Sequence, residues 1–114
     1  MKKDTKLIII KFYTIKGCGS CVRMQSKILD VISEEQFRAK FKIDFIDRNI
    51  HQDKAREDCI KDVPTILFPT GRREVGIVKK EILVKQLNKC LNEPNINAIK
   101  ANVTKTIAIL DNVI

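Results

Sequence analysis

Apolar residues along this chain change their spacing several times, and each change marks an element. Leu7 to Tyr13 runs almost unbroken through Ile8, Ile9, Ile10, Phe12 and Tyr13, the composition of a strand buried on both faces of a parallel sheet. Thr14 to Gly17 ends it as a loop. From Cys21 onward, Val22, Met24, Ile28, Leu29 and Ile32 recur at three- and four-residue intervals, which predicts an amphipathic helix beginning at or inside Cys18-Gly19-Ser20-Cys21. Phe41, Ile43 and Phe45 then alternate with Lys42 and Asp44, the period of a strand, and Ile46 extends it.

Asp53 to Ile60 predicts a short helix with Ala55 and Cys59 on one face. Val63-Pro64-Thr65-Ile66-Leu67-Phe68 reads as a strand led in by proline, Pro69-Thr70-Gly71 as a turn, and Glu74 to Val78 as the hairpin partner. Lys79 to Leu91 closes the series as a helix with Leu83, Leu87 and Leu91 on one stripe. The order is strand, helix, strand, helix, strand, strand, helix, which implies a parallel βαβ unit followed by a hairpin and a covering helix. After the break at Asn92-Glu93-Pro94-Asn95, apolar residues from Ile96 to Ile114 resume helical spacing. We therefore divide the chain into a domain at residues 1–91 and an amphipathic extension at residues 92–114. The extension's stripe fits packing on its own domain first, and pairing with a second copy or a partner protein second.

Length and composition narrow the function. A chain of 114 residues with 44% hydrophobic and 32% charged residues has the makings of one folded domain, not of a disordered segment. Its longest apolar run, Leu7 to Ile10, falls far short of the roughly 20 residues that span a bilayer, so no membrane span is expected. The basic start lacks the long apolar stretch and small-residue cleavage site of a signal peptide, which points to the cytoplasm. The net charge of +8 is scattered along the chain without interleaved aromatic residues, a solvated surface more than a nucleic-acid site.

Of four cysteines, two form the C-x-x-C pair at the predicted strand-to-helix junction. Thiol-disulfide exchange needs an attacking thiolate and a second thiol within reach. A helix start supplies unpaired N-H groups and the positive end of the dipole, which stabilise a thiolate, and Lys16 and Arg23 add charge nearby. Cys18, the outer residue, is thus the candidate nucleophile and Cys21, one turn in, the resolving thiol. Zinc is the weaker reading, because no second C-x-x-C or Cys/His knuckle accompanies the pair. Cys59 and Cys90 are expected on buried helix faces as small hydrophobes, and His51 on the surface.

Phe12-Tyr13, the Cys18-Gly19-Ser20-Cys21 helix start, Asp47 at the end of the second strand, and Val63-Pro64-Thr65-Ile66-Leu67-Phe68 followed by Gly71 together resemble the thioredoxin family over about residues 5–91. The resemblance implies a three-layer α/β fold, a mixed four-stranded sheet flanked by helices, here with a C-terminal helical extension. It also implies a cis Val63–Pro64 peptide beside the dithiol and substrate contacts at Gly17, Gly19, Ser20, Val63 and Pro64. The activity implied is reduction of protein disulfides, with no cofactor on the chain and a flavin-dependent, thioredoxin-reductase-like partner as electron donor. Departures are Gly17 where the family usually has Trp, Ser20 where it usually has Pro, and Phe12 where it usually has a buried acid. The elements begin at the first βαβ strand, as in glutaredoxins and minimal archaeal-type redoxins. A reading from another class is a non-catalytic adaptor that keeps the fold and binds a protein through the basic surface or the tail.

Overall fold

β1 (Ile8–Thr14) and β2 (Phe41–Asp47) lie parallel, Ile8 opposite Phe41 and Thr14 opposite Asp47, and α1 (Gly19–Ile32) makes the crossover between them. After α2 (Gln52–Glu57), β3 (Thr65–Leu67) returns antiparallel to β1, β4 (Arg73–Val75) pairs antiparallel with β3, and α3 (Lys80–Asn92) follows. The strand order β2-β1-β3-β4 puts β1 inside a mixed four-stranded sheet. The computed structural model describes residues 7–92, so the amphipathic extension expected from Ile96 to Ile114 lies outside the described residues.

Alternation along the strands separates two layers of packing. Ile10 and Phe12 of β1 face a core shared with Cys21, Met24, Ile28 and Val31 of α1 and Leu83, Leu87 and Cys90 of α3, all of them buried. Tyr13 points the other way, joining Ile46 of β2 and Ala55 of α2 in a much smaller cluster. Helices thus cover both faces, two on one side and a six-residue helix on the other. Among the described residues no helix is long and apolar enough to cross a membrane.

The structure corrects several expectations. Val22 is 66% exposed and Leu29 39% exposed, because the buried stripe of α1 is Cys21, Met24, Ile28 and Val31, a different phase of the same periodicity. Ile9 is 44% exposed, so β1 is not covered on both faces along its whole length. β2 keeps Phe45 at 40% exposure while Ile46 is buried beneath α2, and only Thr65–Leu67 of the longer predicted segment pairs as a strand. β4 stops at Val75, because Gly76 turns to φ +82. Phe37, in the α1–β2 connection, is fully buried and packs edge-on against Phe41 at 5.8 Å, a core contribution from a loop.

The second helix differs most. α2 ends at Glu57, and Cys59 takes the left-handed conformation, φ +56, and is exposed instead of buried. The Cys59 N-H donates to the Arg56 carbonyl (3.1 Å) and the Ile60 N-H to the Ala55 carbonyl (2.8 Å), with Ala55 and Ile60 packed in the same cluster. This is the Schellman arrangement that satisfies the last carbonyls of a helix, with cysteine where glycine is usual.

Candidate active site

The redox loop leaves β1 and turns into α1 within four residues. Gly17 has φ +85, a conformation glycine adopts freely, and a Cβ there would meet nothing within 4 Å. The backbone path, not lack of space, is what a side chain at this position would oppose. Cys18 follows with φ −88 and ψ 107 as the N-cap of α1, and its carbonyl accepts the first helical bond from the Val22 N-H (3.2 Å). Its Sγ accepts the Cys21 N-H at 3.1 Å, so sulfur takes the part a Ser or Asp oxygen plays at an ordinary cap. Ser20 adds a hydroxyl 3.4 Å from the same sulfur.

Cys18 and Cys21 form a disulfide with their Cα atoms 5.2 Å apart. Cys21 is 1% exposed, sealed into the core by α1, whereas Cys18 is only half-buried and packs against that core from its edge. An incoming reactant therefore meets the Cys18 side of the bond. No acidic residue occupies the first turn of α1, so nothing opposes the positive end of the helix at this sulfur.

The β2–β3 connection forms the second wall. Val63 is half-buried against the same core that Cys18 edges, the Val63–Pro64 peptide is cis, and Pro64 is buried. The Pro64 carbonyl accepts the Gly76 N-H at 2.9 Å, which ties the β4–α3 connection to the proline. That connection is further held by Val78, whose N-H donates to Met24 Sδ (3.3 Å) and whose carbonyl accepts Lys27 Nζ (2.9 Å). It presents Ile77, 52% exposed, beside the site. The pattern of the sequence ran a strand through Gly76 to Val78; an isolated glycine between Val75 and Ile77 was the available sign that the strand ends and a loop begins.

Phe12 is fully buried among apolar residues and brings no titratable group behind the dithiol. Protonation is displaced instead on the opposite face. There the Tyr13 hydroxyl donates to Asp58 Oδ2 at 2.5 Å and Lys11 Nζ donates to the same oxygen at 3.0 Å. Burial, and then the bond to Asp58, push the Tyr13 phenol far above its ordinary range. Burial raises the Asp58 carboxyl, but donation from Tyr13 and Lys11 outweighs it and holds the group below the usual carboxylate range. His51, exposed at the start of α2, takes no part in the site. Among the described residues no cluster of three or more His, Cys, Asp or Glu is placed to hold a metal ion.

The thioredoxin family model matches residues 1–93. The chain belongs to the thioredoxin family. Thioredoxin 1 from the thermophilic eubacterium Thermosipho africanus superposes with a TM-score of 0.61 at 16% identity, over 77% of this chain and 99% of that one. A thioredoxin-2 described as a component of malaria parasite protein secretion machinery gives 0.62 at 17%, over 73% and 82%. Another malarial protein gives 0.62 at 17%, over 74% and 97%. At these identities the likeness carries the fold. No curated protein matches the chain. A thioredoxin domain with a cysteine pair at disulfide distance is built for thiol-disulfide exchange, and the particular role follows from the site itself.

Proposed function

We propose that this thioredoxin-family chain is a protein-disulfide reductase. The observation that carries the reading is the asymmetry of the pair: Cys18 half-exposed at the helix cap, with Cys21 buried behind it. In the reduced protein the Cys18 thiolate, held by the Cys21 N-H and the Ser20 hydroxyl, attacks one sulfur of a substrate disulfide. The S–S bond of the substrate breaks, its other sulfur leaves as a thiolate and takes a proton, and a mixed disulfide joins Cys18 to the substrate. Cys21, deprotonated, then attacks Cys18 Sγ and releases the second substrate thiol. Two electrons have passed to the substrate, and the protein is left as the Cys18–Cys21 disulfide, the state of the structure.

Substrate lies along Gly17, Gly19 and Ser20 on one side and Val63–Pro64 on the other, and a thioredoxin-reductase-like donor returns two electrons for the next turnover. The cytoplasm is the setting that suits such a donor. The test is reduction of insulin disulfides with dithiothreitol as donor. Wild type should turn over, Cys18→Ser should be inactive, and reduced Cys21→Ser, mixed with insulin after dithiothreitol has been removed, should stall as a mixed disulfide detectable by mass. A folded wild type with free thiols and no turnover would remove the reading and favour the adaptor.

A further inference from the structure

The dithiol sits among cations that other side chains do not neutralise. From Thr14 to Leu29 the chain carries Lys16, Arg23 and Lys27 and no acidic residue. A Cβ placed on Gly19 would lie 3.8 Å from Arg23 Nη1, so this guanidinium lies over the residue that follows Cys18. Lys16 is exposed on the turn before it, where the Cys18 N-H reaches back to the Ile15 carbonyl (3.4 Å). Among the described residues neither Lys16 nor Arg23 has an ion-pair partner, in contrast to Lys11 with Asp58 and Lys80 with Glu34.

The other wall repeats the sign. Val75 to Lys79 has a lysine at 79 and no acid, and its carbonyl at Val78 holds Lys27; Lys80, paired with Glu34 beyond the far end of α1, is not part of this wall. Asp47 ends β2 and Asp62 precedes the Val63–Pro64 peptide. Asp47, whose Oδ1 accepts the Asn49 and Ile50 N-H groups (2.8 and 3.1 Å), and Asp62, exposed beside Val63, are both opposing charges, and both lie on the β2–β3 side and not on the redox loop or α1. Apolar surface is also exposed at Val22 of α1 and Ile77 of the β4–α3 connection, 66% and 52% exposed.

We propose that the site selects disulfides whose reacting cysteine is flanked by acidic residues, with Arg23 and Lys16 as the selecting cations; this rests on the reductase reading above. Complementary charge raises the rate of productive encounter and rejects like-charged partners, and salt screens it. Because both cations are close to Cys18 in the chain, the experiment separates selection from a general effect on the thiolate.

Three peptide disulfides of equal length, with acidic, neutral or basic residues beside the cysteine, are reduced by wild type, by Arg23→Gln, and by the reversal Lys16→Glu/Arg23→Glu, with dithiothreitol as donor. Wild type should prefer the acidic over the basic peptide by about tenfold in kcat/KM at about 20 mM salt, narrowing to about twofold near 0.5 M. Arg23→Gln should lose part of the preference, and the reversal should invert the acidic-to-basic ratio, with each rate divided by that of the neutral peptide to remove any change common to all three. Equal wild-type rates on acidic and basic peptides, an uninverted preference in the reversal, or a slowing common to all three that leaves the ratio unchanged would each overturn the proposal. Failure to reduce even the neutral peptide would instead remove the reductase reading beneath it. The substituted side chains are exposed, and thermal melts of the variants should match wild type.

Discussion

The two faces of the sheet are held by different physics although a single strand supplies both. Ile10 and Phe12 of β1 enter a wide apolar core shared with α1 and α3, while Lys11 and Tyr13, their neighbours in sequence, meet a carboxylate and a short helix. On the first face stability comes from area removed from water and from close packing. On the second, hydrogen bonds do more of the holding: Asp58 gathers Tyr13 and Lys11, and Arg73 of β4 donates to the Asp58 and Cys59 carbonyls at 2.7 and 3.1 Å. The dithiol belongs to the first face, since Cys21 is part of its core. A reaction that needs two sulfurs kept in register is therefore mounted on the more extensively packed face, and the polar face is left to fix β1, α2 and β4 to one another.

The strongest way to break this contrast is Phe12→Ala. Its ring is fully buried and stacks obliquely on Phe45 at 5.4 Å, so the cavity should cost about 3–5 kcal/mol in denaturant unfolding. It should also loosen the seat of Cys21. A loss under about 1 kcal/mol would mean the core collapses around the gap and is not close-packed there.

Asp58→Ala should follow, at about 1–3 kcal/mol, since Lys11 loses its acceptor and the Tyr13 hydroxyl is left with only the Lys54 carbonyl at 3.2 Å. The pH dependence gives a sharper test. The carboxyl is depressed in the folded protein, so its contribution is present above the unfolded value near pH 4 and is lost as pH falls through the lower folded value. The Tyr13 phenol is raised, so its contribution is present below about pH 10 and is lost only above it. Chemical denaturation between pH 2 and pH 7 should show wild type losing stability on the acid side and Asp58→Asn losing less. Parallel curves would show that the network adds nothing specific.

How much of this was legible in the sequence depended on how far each feature's cause lies along the chain. The C-x-x-C at a strand-to-helix junction, the element order and the Val63–Pro64 segment are local patterns, and the structure has them where the pattern puts them. The phase of α1 was misread because Val22 and Leu29 satisfy the same spacing as the true stripe, and only the position of α3 decides between them. Cys59 was misplaced for a longer-range reason. α2 stops where Arg73, from another strand, holds the carbonyls of Asp58 and Cys59, and no residue between Asp53 and Ile60 announces that contact. The Gly76 loop, which completes the site, was hidden by the β-branched residues on either side of it.

Cys59 offers a smaller test on the polar face. At φ +56 its Cβ crowds the backbone, and glycine removes that penalty while giving the unfolded chain more entropy to lose on folding, so Cys59→Gly should raise stability by up to about 1 kcal/mol. Disulfide reduction should be unchanged, because the residue is exposed and lies outside the dithiol loop. A destabilised variant would show that the cysteine side chain makes a contact stronger than the strain it tolerates.

The smallest expected effect concerns the dithiol itself. Ser20 stands where the family usually has proline, and its hydroxyl lies 3.4 Å from Cys18 Sγ, close enough to donate when that sulfur is a thiolate. The Cys21 N-H, at 3.1 Å and fixed by the helix, is the better oriented donor and is unaffected by substitution. Ser20→Ala should therefore move the midpoint of Cys18 alkylation upward only slightly, by less than a full charge-assisted hydrogen bond would, because this loop is open to water. A shift well above one unit would rank the hydroxyl over the helix cap as the main stabiliser of the thiolate. No shift at all would leave the backbone amide and the surrounding cations as its entire support, and the cations would then influence both how Cys18 is charged and what reaches it.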